Sequence, residues 1–227
     1  MIIIFKILIF MICFGWLTYW SIRFGEKLEH KPILIKKSLI YGLIISFPIS
    51  IYIGLANISV IDILLLSICF SGQLSAALMD EKYKEVYDLY HISSGLSLVL
   101  LFIFGSIKWK DISIVGFAIF ATFQILMAFT YGLSDMFAFD IMGLLTAYAF
   151  FPLNTGQPTI MMNAWNYLLY ALGSMLLCYV IFFLLQLKNK NINHFGNCKE
   201  KAAFIPSIYM VDALMFGIAA LINFKKG

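Results

Sequence analysis

Apolar residues run along this chain in long blocks, separated by short polar stretches that hold nearly all of the charges. The blocks predict eight hydrophobic spans, at roughly 2–22, 38–56, 58–79, 92–107, 112–131, 136–152, 164–187 and 202–223. Most approach the ~20 residues that a tilted helix needs to cross a bilayer; the fourth and sixth are the shortest. Backbone polar groups inside lipid must be satisfied within the segment, which favours helices over open strands. The expected fold is therefore all-α, a polytopic transmembrane bundle of about eight helices forming one integral-membrane domain over residues 1–227. No internal repeat, linker or low-complexity tract interrupts the pattern.

Composition narrows the class further. Hydrophobic residues make up 62% of the chain and charged residues 12%, about half the charged share of a soluble domain. The net charge of +4 comes with no basic stripe of interleaved aromatics, so nucleic acid is not an expected partner; the lipid bilayer is. With the N-terminus outside, the inner loops carry Arg23, Lys27, Lys31, Lys36, Lys37, Lys82, Lys84, Lys188, Lys190, Lys199 and Lys201. The outer side keeps Lys6, Lys108, Lys110, Lys225 and Lys226. Eleven of the 16 basic residues then face the cytoplasm, as the positive-inside rule requires. The expected location is the cell inner or plasma membrane, multi-pass. The opening run to Trp20 ends without a small-residue cleavage site and reads as a retained first helix.

Cys13, Cys69 and Cys178 lie in apolar runs and read as small apolar residues. Cys198 sits in a polar loop near His194, and two possible ligands do not make a zinc site. No glycine-rich nucleotide loop appears, and no cofactor is expected.

Chemistry is expected from two polar segments. The first is Ser75-Ala76-Ala77-Leu78-Met79-Asp80-Glu81-Lys82-Tyr83-Lys84-Glu85-Val86-Tyr87-Asp88, where Gly72 just before it, Ala76 and Asp80 recur every four positions and share a helix face. Small residues there let a neighbouring helix approach closely, and that face brings a partner up to Asp80; alternatively Asp80 only marks the membrane boundary, solvated. In Tyr131-Gly132-Leu133-Ser134-Asp135, Gly132 frees the backbone before a helix and Asp135 falls near its first turn; alternatively Ser134 and Asp135 simply cap that helix. The topology sets Asp80 and Asp135 at the same, cytoplasmic depth. Two carboxylates held close do not both ionise readily, so one keeps a proton while the other is charged. The charged one can take a proton from water and the protonated one can polarise an amide.

These segments resemble the type IV prepilin peptidases, membrane aspartyl proteases of the GxGD type (peptidase family A24). In that family the first aspartate ends a helix and is followed seven and eight residues later by a Pro-Asn or Pro-Asp pair in a basic loop. Here Asp80 is followed by Lys82, Lys84 and then Tyr87-Asp88. Gly132-Leu133-Ser134-Asp135 stands where GxGD would, with Ser134 replacing the second glycine and Phe137 replacing a common lysine. Ala203-Phe204-Ile205-Pro206-Ser207 is similar to the proline-containing segment that opens the family's last helix. The resemblance runs from about Gly72 to the C-terminus. It implies an aspartic endopeptidase that removes leader peptides from prepilin or pseudopilin substrates, with Asp80 and Asp135 catalytic and Gly132, Ser134 and Asp88 supporting. Relatives that also methylate the product carry a cysteine-rich insertion with CxxC pairs between the first two helices. The corresponding loop here, about Arg23 to Lys37, is short and has no cysteine, so methyl transfer is not expected.

Other acids keep rival readings open. Asp62 reads as a helix cap. Asp140 shares a face with Gly143 and Ala147 and should point into the bundle. Asp212, near the middle of the last span, is costly there and a functional candidate by default; alternatively it is a neutral, hydrogen-bonded carboxyl that fixes helix packing. His91 reads as solvated. A proton-coupled transporter built on Asp62, Asp140 and Asp212 is the main alternative, although no inverted repeat supports it. A non-catalytic assembly subunit of a pilus or secretion machine is another.

Overall fold

The structure is a computed structural model, which describes residues 2–29, 36–84, 86, 88–106, 118, 122, 136–150, 160–188 and 203–226. Their elements are α1 (Ile2–Glu29), α2 (Lys36–Ile45), α3 (Phe47–Leu55), α4 (Val60–Tyr83), α5 (Asp88–Phe104), α6 (Met136–Phe150), α7 (Ile160–Lys188) and α8 (Ile205–Lys226). No strand occurs among the described residues. Because α2 and α3 form one broken span, these residues hold seven helical spans rather than the expected eight; the remaining expectation, 112–131, lies outside them apart from two isolated positions. Four stretches, Ile2–Leu28, Val60–Tyr83, Trp165–Lys188 and Ile205–Ile222, are long and apolar enough to cross a membrane, and shorter apolar helices accompany them. The chain is a helical membrane protein.

The break between α2 and α3 follows from sequence. Pro48 lies in the first turn of α3 and has no N–H to bond the carbonyl four residues earlier. Ser46, at the turn, donates its hydroxyl to the Leu43 carbonyl at 2.7 Å, which gives one carbonyl beside the break a partner inside the bundle.

Of the four long apolar stretches the most enclosed is α4, which packs against α1, α5 and α8. Gly72 explains how close α5 comes. A Cβ at this position would overlap the Ser94 hydroxyl and lie 2.8 Å from the Tyr90 carbonyl and 2.9 Å from the Ser93 hydroxyl. The small-residue face is thus used as expected, but its partner is α5, whereas Asp80 meets α8. Further along α4, rings of Phe70, Phe216 and Tyr52 close edge-to-face at 4.9–5.1 Å, a favoured aromatic geometry.

Hydrogen bonds sort the helix ends. At one end Lys6 Nζ donates to the Ala56 carbonyl at 2.9 Å, and Asp62 ties the start of α4 to the end of α5. Its carboxylate accepts from the Ser59 N–H and hydroxyl at 2.8 and 2.7 Å, and from the Ser106 N–H and hydroxyl at 2.9 and 2.5 Å. The expected cap at Asp62 is therefore present as a full capping box, and it also pins two helices together. At the other end Tyr90 donates to the Ser21 carbonyl at 3.3 Å, and α4 finishes at Lys84, whose left-handed backbone (φ 57°) returns its N–H to the Asp80 carbonyl. Arg23, Lys82, Lys84 and Lys188 belong to this second end, opposite Lys6, which is the charge sorting the sequence predicts.

Candidate functional site

Asp80 occupies the last full turn of α4. Its side chain is not solvated at a boundary, one of the two readings left open by the sequence, but buried, with 7% of its surface exposed. Oδ2 accepts the backbone N–H groups of Phe204 and Ile205, at 2.6 and 2.8 Å. Those amides open α8, one residue before Pro206. The first N–H groups of a helix have no partner in their own helix, and their dipoles favour a negative charge. Asp80 supplies that charge from another helix.

Phe204 also joins α6 and α7 to this corner. Its ring lies 5.4 Å from Phe139, 5.5 Å from Tyr179 and 4.9 Å from Phe182. Phe139 is in the first turn of α6, four positions after Asp135 in the sequence. The opening of α6 is thus gathered onto the same residue whose amide binds Asp80. Asp135 itself, with Gly132 and Ser134, lies outside the described residues. Asp88 is exposed and opens α5. His91, one turn on, is not solvated as expected: it is buried at 6% exposure and within electrostatic reach of Asp88. It lies on the side of α5 that turns inward with Tyr90 and Ser94, which the local sequence, rich in polar residues, conceals.

The remaining acids divide. Asp62 is saturated by its serine donors, with Tyr52 and Tyr148 in electrostatic reach. Asp140 is half-buried, points into the bundle as expected, and faces Tyr167. Asp212 is fully buried, and neither of its carboxylate oxygens has a hydrogen-bond partner among the described residues. Gln73, not singled out from the sequence, is also fully buried with both amide atoms unpartnered among those residues; a carboxamide inside an apolar span was the available signal. Among the described residues no group of three or more His, Cys, Asp or Glu side chains could hold a metal ion.

Chemically, the corner at Asp80 offers a buried carboxylate with two backbone donors, at the more basic end of the bundle and bordered by aromatic rings. Comparison with protein-family models, with curated proteins and with solved structures finds no match.

Proposed function

We propose that this chain is a membrane-embedded aspartic endopeptidase that cuts leader peptides from prepilin-like or pseudopilin proteins at the cytoplasmic face, using Asp80 and Asp135. The observation that carries the reading is the burial of Asp80 against the amides of Phe204 and Ile205. An acid at a helix end, a proline-containing helix start and the opening of α6 meet at one corner, and these are the three segments on which the resemblance to the prepilin peptidases rests. The basic residues at that end support a cytoplasmic orientation. In this scheme one aspartate, ionised, takes a proton from water while the other, protonated, gives one to the scissile amide. The substrate class is a short basic leader, a small residue before the cut and an apolar helix after it. The amides of α8 hold the Asp80 carboxylate in place, so that it need not reorganise during the reaction.

A second reading draws on the same two hydrogen bonds. An aspartate capping another helix is a complete structural role, and a non-catalytic assembly subunit would use it in that way. Co-expression with a prepilin separates the two. Leader removal by the intact chain, seen as a mobility shift and lost in Asp135→Asn, supports the peptidase. An unprocessed prepilin that nevertheless co-purifies with the chain supports the subunit.

A further inference from the structure

The bundle centre holds polar groups that the proposed catalytic pair does not use. Two contacts set the register of α4 against α8, and one longer-range neighbour agrees with it. Asp80 meets Ile205, the ring of Phe70 meets that of Phe216 at 5.1 Å, and Cys69 lies within electrostatic reach of Asp212. Between the first two contacts the helices run antiparallel over nearly equal lengths, which sets Gln73 level with Asp212. Gln73 is one turn from Cys69 on the same face of α4. Asp212 and Gln73 therefore fall at one level of two packed helices, both fully buried, and neither has a side-chain hydrogen-bond partner among the described residues.

Their surroundings are rich in oxygen. Tyr209, one turn before Asp212 and within its electrostatic reach, directs its hydroxyl to the Gly42 carbonyl at 3.5 Å and lies against Ser46. Ser46 is the turn between α2 and α3, so a broken helix borders the same spot. Discontinuous helices near mid-membrane lend their freed carbonyls and helix ends to ion sites.

We infer that Asp212 and Gln73 bind a monovalent cation between α4 and α8. Carboxylate, amide and hydroxyl oxygens are hard donors, suited to hard cations rather than to soft transition metals. Asp212 brings one negative charge, which one positive charge balances; a divalent ion would leave net charge in an interior that penalises it. The site lies seven residues along α8 from Ile205, about 10 Å from Asp80 at 1.5 Å per residue. It stands on geometry separate from the catalytic corner and does not depend on the peptidase reading.

The test is thermal unfolding of the intact chain in lipid nanodiscs, titrated with sodium chloride against choline chloride at constant ionic strength, with a parallel potassium series. A saturable rise of roughly 3–6 °C at ten times the midpoint concentration is expected with sodium and not with choline. An equal response to potassium supports the site as an unselective one. Gln73→Leu should raise the midpoint at least several-fold, and Asp212→Asn should flatten the titration. If Asp212→Asn does not fold, the wild-type and Gln73→Leu titrations decide. Identical sodium and choline curves overturn the inference, as does a melting temperature that follows pH but no cation, which would assign Asp212 a proton alone.

Discussion

Replacing Asp80 by asparagine separates catalysis from folding, because the two roles of this side chain demand different things of it. The folded chain uses one carboxylate oxygen to accept two backbone N–H bonds, at 2.6 and 2.8 Å. Asparagine keeps an acceptor oxygen of nearly the same shape and loses the charge. Hydrogen bonds to a charged group contribute about 1.5–3 kcal/mol against about 1 for neutral ones, so over the two bonds the expected cost is about 1–4 kcal/mol. That corresponds to a fall in melting temperature of roughly 2–16 °C for a chain of this size. Alanine instead orphans both buried amides at about 1–3 kcal/mol each, enough to deplete the folded protein. Cleavage should behave differently. A carboxamide neither takes nor gives the proton, and loss of a positioned acid or base costs about 10²–10⁴ in rate. The assay is leader removal per unit of membrane-inserted protein, with melting measured on the same preparation. The expected asparagine variant inserts, melts a few degrees early and leaves the prepilin uncut. Cleavage within a few-fold of wild type would refute the dyad and leave the capping of α8 as the whole role of Asp80.

Asp62→Asn should show the opposite split. The variant places an NH₂ group among the donors of Ser59 and Ser106 and destabilises by about 2–4 kcal/mol, yet cleavage per folded molecule should hold, as thermal melting beside the leader assay will show. Gly72→Leu should lower the yield of folded protein by overpacking the α4–α5 contact, at a cost of about 1–3 kcal/mol or more. A variant with the wild-type melting temperature would contradict the close approach at Tyr90 and Ser94. Gly132→Val should reduce cleavage strongly although it removes no acid or base, since glycine alone tolerates the backbone a loop before Asp135 can require. Ser134→Gly should be neutral or activating; an active Gly132→Val beside an inactive Ser134→Gly would point to simple helix capping.

Hydrophobic run length is local information, and it located all seven helical spans among the described residues, as well as the cap at Asp62. Contacts across long sequence separations were not legible. Asp62 and Ser106 are 44 residues apart, and Asp80 and Ile205 are 125 apart. Nothing near Asp80 announces that its partners include two backbone amides, since every residue except proline carries one. For the same reason the polar neighbourhood of His91 suggested water, while tertiary packing buried it. The break at Pro48 was visible as a residue but not as a consequence, because a proline in a membrane helix can be accommodated by neighbours that the local sequence does not name.

The bond between Asp80 and the start of α8 also bears on the order of assembly. Chains are synthesised from the N-terminus, so α4 is made long before the amides of Phe204 and Ile205 exist. Until the last helix enters the membrane, Asp80 lacks the donors that hold it in the finished bundle. Closure of this corner is thus a late event in biogenesis, and in a nascent chain that stalls before residue 204 the end of α4 is not yet tied to α8. Under the proposed function, completing the fold also completes the active site, and a chain stalled before residue 204 is expected to leave prepilins uncut.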